Sequence, residues 1–151
     1  MERIMKLQDF LPSENVVVGM QASSKEQLIR LLSDMASKKC GLAAGTISKG
    51  LLERERLGST GIGEGIAIPH ARFEDLQEIV CLCAKLSRPV DFDAMDGLPV
   101  DVVILLLSPS NAGREGLNIL SCVARRFRDE RVLPAICQAG SAEEVYAILT
   151  S

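Results

Sequence analysis

The sequence predicts an α/β fold: one domain spanning residues 1–151, with a mixed β-sheet flanked by helices on both faces. Three observations lead there. Helix-capping signals followed by apolar residues at helical spacing occur toward both ends of the chain. Between them, Val100 to Leu107 is an apolar run with almost no polar alternation, the pattern of a central strand covered on both faces. Just before it, Asp96-Gly97 marks a hairpin-like turn, so at least one strand pair should run antiparallel.

Each element has its own signal. Ser23-Ser24-Lys25-Glu26 reads as a capping box, with Ser23 as the cap and Glu26 reaching back. Leu28, Leu32, Met35 and Ala36 follow at helical spacing, and Gly41 supplies the stop. A second helix is expected from Thr46 through Leu51 and Leu52 to Gly58, its end Glu53-Arg54-Glu55-Arg56 facing solvent. Ile66 to Ile68 read as a short strand that Pro69 terminates or places at an edge, and Ile79 to Leu86 as another. Leu117, Leu120, Ala124 and Phe127 line one face of a helix from about Glu115 to Arg128. A short helix near Glu130 to Cys137 follows, and a last one opens with the capping box Ser141-Ala142-Glu143-Glu144.

Composition narrows the function. At 47% hydrophobic but only 3% aromatic, the core must be aliphatic. The formal charge of −3, with both signs interspersed, provides no basic field for nucleic acid or anionic lipid. Met1 to Lys6 contain no leader-like apolar run, and Val102 to Leu107 is too short to cross a bilayer, so no membrane insertion is expected. The five cysteines have no CxxC spacing, and the single histidine has no partner for a zinc site. They read as reduced, mostly buried thiols of a cytoplasmic protein, with neither metal nor cofactor.

The chemistry concentrates in Gly58 to Arg72, GSTGIGEGIAIPHAR. This is no P-loop, for it lacks the Lys-Ser/Thr ending. Nor is it a dinucleotide fingerprint: with Gly61 and Gly63 as the first glycines, the third would fall on Ile66. Its distinguishing feature is delivery of the chain's only histidine, His70, to the end of a strand. A neutral imidazole can attack a phosphoryl donor, forming a phosphoimidazole suited to onward transfer. Such transfer needs positioning and compensation of oxygen charge. Ser59 and Thr60 could give hydroxyl hydrogen bonds, glycine-rich backbone could approach closely, and an arginine fork could neutralise charge. A lone histidine with a satisfied hydrogen bond, glycines that only make turns, and arginines on a solvated helix face are the ordinary structural alternatives.

The stretch Arg54-Glu55-Arg56-Leu57 followed by GSTGIGEGIAIPHA closely resembles the signature of fructose/mannitol-type enzyme IIA domains of the sugar phosphotransferase system. Its Gly-Ser-Thr-Gly-Ile-Gly opening is most similar to their nitrogen-regulatory branch, and the resemblance extends over nearly the whole chain. It implies that His70 accepts phosphate from a small histidine phosphocarrier protein and that Arg54 lies beside the phosphorylation site. It further implies output through partner proteins bound according to phosphorylation state, or, in sugar-specific relatives, transfer to a cysteine of a IIB domain; a non-catalytic interaction module with a vestigial His70 site is the alternative of a different class. One departure stands out. The family's second histidine, at the start of the helix after the Ser-Pro strand end, aligns with Gly116, and Arg114 or Asn118 are the nearby polar substitutes. Glu64, within the loop, is expected to face solvent.

Overall fold

The strand with the least polar character organises the sheet. In the computed structural model, which describes residues 5–151, two 3-10 turns (Leu7–Asp9 and Ser13–Asn15) lead into β1 (Val16–Met20), α1 (Lys25–Cys40) and α2 (Ala44–Arg56). There follow β2 (Gly61–Gly63), β3 (Ile66–Ala67), β4 (His70–Phe73), β5 (Val80–Val90) and β6 (Val100–Pro109). The chain ends with α3 (Glu115–Phe127), α4 (Val132–Gln138) and α5 (Ala142–Thr150). The leader expectation for Met1 to Lys6 lies mostly outside the described residues.

The strand order is β1-β5-β6-β3-β2, with β4 also paired to β6. β5 and β6 run antiparallel from Val80↔Leu107 to Val90↔Val100, around the expected turn. β1 pairs β5, and β3 and β4 pair β6, all in parallel; the sheet is therefore mixed. β3 and β4 take successive stretches of β6, with Ile66 opposite Val102 and His70 opposite Leu106. Side chains alternate across β6. Val102, Ile104 and Leu106 pack with Ile119, Val123, Ile136 and Val145 of α3, α4 and α5. Val103, Leu105 and Leu107 pack with Leu28, Leu32, Ile47 and Leu51 of α1 and α2. Two aliphatic cores, one on each face, explain why β6 carries so little polar alternation.

The boundaries differ from expectation for local reasons. α1 is capped by Ser24, not Ser23: the Ser24 hydroxyl accepts from Gln27 N–H, while the Gln27 side-chain Oε1 takes the Ser23 N–H and hydroxyl. Gly41 ends that helix in the left-handed conformation, φ 78°. Before α5, Ser141 caps as expected, but Glu144 reaches back to Gly140 N–H. α4 starts only at Val132, because Asp129 captures the Arg131 N–H and guanidinium. Of the cysteines, Cys81, Cys83 and Cys122 are buried and Cys137 is exposed. Burial pushes the Cys83 thiol up to about 12 and Cys81 higher still. No helix among the described residues is long and apolar enough to cross a membrane.

Candidate functional site

The glycine-rich segment begins where α2 ends, and a buried carboxylate anchors it. The Glu55 side chain is only 5% exposed, and Lys25 Nζ lies 3.0 Å from its Oε1. Thr60 donates its N–H to Oε1 at 3.0 Å and its hydroxyl to Oε2 at 2.6 Å. Lys25 also sits 4.7 Å over the Phe92 ring, a cation–π contact. Glu55 therefore does not share the solvent-facing role expected of the Glu53-to-Arg56 run. Its partners on α1 and in the loop draw it inward.

The segment then folds back as a β2–β3 hairpin whose two turn residues, Glu64 and Gly65, both have positive φ (57° and 90°). Glu64 faces solvent as expected. Its N–H donates to Asp96 at 2.7 Å, and this bond with that from Leu98 N–H holds the Asp96 carboxyl below its ordinary range. From the hairpin, Ile68 N–H donates to Thr60 O at 2.9 Å, and Pro69 closes the strand.

His70 opens β4. Its Nδ1 lies 2.8 Å from the Ile68 carbonyl oxygen. A carbonyl can only accept, so Nδ1 carries a proton, and in the neutral ring Nε2 keeps its lone pair. The half-buried ring lines a cleft of about 50 Å³ shared with Leu106, Ser108, Gly116 and Leu117. Beside it, Arg72 donates to Gly113 O at 2.9 Å, tying β4 to the loop before α3.

The other expected site residues have partners of their own. Arg54 donates from Nη1 to Gly58 O at 3.0 Å, and Arg56 is exposed. Ser59 donates its hydroxyl to Phe92 O at 2.7 Å and accepts from Gly61 N–H. With the Thr60 hydroxyl held by Glu55, both hydroxyl protons expected for phosphate are committed to acceptors within the protein. None of the three lines the histidine cleft. Gly116 does, and it is buried in the first turn of α3. A Cβ there would stand 2.8 Å from Ser108 Oγ. Arg114 and Asn118 are exposed and lie outside the lining. Ser108 was not among the expected residues. The signal for it was a hydroxyl at the end of an otherwise apolar run.

The family model described as "Phosphoenolpyruvate-dependent sugar phosphotransferase system, EIIA 2" matches residues 9–151. The chain belongs to this EIIA-2 family. Among its relatives is the nitrogen regulatory protein of Bradyrhizobium diazoefficiens, 37% identical over 96% of this chain and 95% of that protein. The nitrogen regulatory protein of Escherichia coli K12 is 36% identical over 97% and 90%. The crystal structure of nitrogen regulatory protein IIA-Ntr from Neisseria meningitidis superposes with a TM-score of 0.90 at 36% identity, covering 95% of this chain and 99% of that one. The mannitol IIA of Escherichia coli shares the EIIA-2 fold more distantly, with a TM-score of 0.77 at 23% identity over 91% and 97%.

Proposed function

We propose that this EIIA-2 domain is a cytoplasmic phosphocarrier that takes a phosphoryl group from a histidine phosphocarrier protein onto His70 Nε2. Its phosphorylation state would then govern which partner proteins it binds, in nitrogen-related regulation. The supporting observation is the fixed tautomer. With Nδ1–H held on the Ile68 carbonyl, Nε2 is the nitrogen with a free electron pair. That pair forms the new N–P bond as the donor's N–P bond breaks, and the donor imidazole keeps the electrons. The proton stays on Nδ1 throughout, donated in a hydrogen bond to the Ile68 carbonyl. Arg54 keeps the remainder of its fork beyond the Gly58 bond, and we assign it to the phosphoryl oxygens during transfer. Ser59 and Thr60 act one step back, by holding the loop.

The test is phosphorylation by the general phosphotransferase proteins, comparing wild type with His70→Ala, Arg54→Ala and Arg56→Ala. His70→Ala should take no acid-labile label. Arg54→Ala should slow transfer roughly ten- to hundredfold, the worth of one charge-assisted bond, and Arg56→Ala much less. Normal labelling of His70→Ala would end the proposal. Rapid loss of label to a IIB cysteine would move the function to sugar transport.

A further inference from the structure

Gly116 leaves a gap in the wall of the His70 cleft, and what faces that gap is a hydroxyl. Ser108 is 4% exposed, yet its side chain has no hydrogen-bond partner among the described residues. Its Oγ is not a sealed-off orphan, as Arg126 Nε is; it keeps contact with solvent and is free to bond a group that enters the cleft. The register supplies the geometry. His70 lies opposite Leu106 and Arg72 opposite Ser108, so His70 and Ser108 share the sheet face that α3 covers, one diagonal step apart. Both line the same small cleft, and its other walls include Leu106, Leu117 and Leu120. Arg72 adds a guanidinium to a lining that is otherwise mostly apolar, and there a well-placed donor counts for more than it would in water. The cleft also takes in Gly116 and Leu117 from the first turn of α3, where the helix dipole favours negative charge.

We propose that the Ser108 hydroxyl donates a hydrogen bond to a phosphoryl oxygen carried on His70 Nε2, and that Gly116 is the vacancy that lets it do so. The assignment rests on His70 being the phosphorylated residue. Ser108 and Gly116 work as one unit. Any side chain at position 116 brings a Cβ to 2.8 Å from Ser108 Oγ and must push the hydroxyl out of place. Where relatives would supply an imidazole from the helix, this chain supplies a hydroxyl from the strand beneath it. Arg114 and Asn118, both exposed, are not needed.

The experiment uses the full chain, phosphorylated by a histidine phosphocarrier protein, with three readouts. These are the transfer equilibrium, the phosphoryl pKa from a ³¹P titration, and the urea midpoint of the unphosphorylated protein. Ser108→Ala should shift the equilibrium toward the donor roughly tenfold, as expected for one hydrogen bond to a charged group. It should also raise the phosphoryl pKa. The urea midpoint should stay the same or rise, because the lost hydroxyl had no partner, and a purely structural role predicts the opposite. Gly116→Ala should reproduce the tenfold shift, and Ser108→Ala/Gly116→Ala should add nothing further. A labelled Ser108→Ala protein with wild-type equilibrium and phosphoryl titration would overturn this assignment alone. A wild-type chain that takes no label, or a label that survives His70→Ala, would instead overturn the phosphocarrier function and this assignment with it.

Discussion

Asp101 shows how closely the strand beside the His70 segment is packed. Its N–H donates to Gly65 O at 2.8 Å, which leaves its carboxylate half-buried where a Cβ on Gly65 would meet Oδ2 at 2.9 Å. Desolvation pushes the Asp101 carboxyl above its ordinary value. The folded state therefore binds this proton more tightly than the unfolded chain does. Its effect on stability is neutral below the unfolded pKa and becomes a penalty as pH rises through the folded one. Asp101→Asn should raise the urea midpoint at pH 7, and the gain should shrink toward zero near pH 3; a constant gain would exclude titration as the cause. The same scale explains which site residues were legible in the sequence. His70 was, as the only histidine, delivered by a proline-ended strand. The commitments of Ser59 and Thr60 were not, because their acceptors, Phe92 O and the Glu55 carboxylate, are set by tertiary contact. Ser108 was visible only as an anomaly in an apolar run, whose meaning depends on a glycine eight residues later.

At the scale of elements, two contacts join the helical layer of α1 and α2 to the site. Lys25, in the first turn of α1, reaches Glu55 near the end of α2, and Glu55 holds Thr60. Lys25→Met would leave the carboxylate buried without its cation, a change that costs about 3 kcal/mol. Combining it with Glu55→Gln should cost less than the two single losses summed. Equal additivity in urea unfolding would show that the groups do not act as a pair. The second contact is Gly50 of α2, where a Cβ would meet the Phe73 ring of β4 at 2.7 Å. Alanine would gain about 1 kcal/mol of helix propensity but overpack the interface by about 1–3 kcal/mol. Overpacking should prevail, so Gly50→Ala should lower the urea midpoint. It should also slow phosphorylation, since Phe73 and His70 belong to the same four-residue strand. A rise in the midpoint would show that α2 can move off β4 freely.

Over the whole molecule, periodicity and capping chemistry made the helices and the central strand legible, because these are local signals. β1, β2 and β4 were not anticipated. β2 is glycine-rich, and its pairing depends on a Glu64-Gly65 turn in which a non-glycine residue takes positive φ. β4 follows Pro69 directly and exists through its pairing with β6. One feature of the sheet bears on how the chain finds this structure. β5 and β6 are joined by a local antiparallel connection, as β2 and β3 are at the sheet's edge; β1, β3 and β4 add to the central β5–β6 pair in parallel, which requires long crossovers. Loop-closure entropy favours forming the local pair first and attaching the remote strands afterward. The His70 strand is thus a late arrival on a finished template, and its amides should open at lower free energy than those of the template itself. Native-state hydrogen exchange should show Leu82 to Ala84 and Val103 to Leu105 as the slowest group, with Ala71 and Arg72 exchanging earlier. Simultaneous exchange of both groups would mean that the strand bearing the histidine is part of the nucleus, and that loading the site cannot stabilise one part of the sheet without the rest.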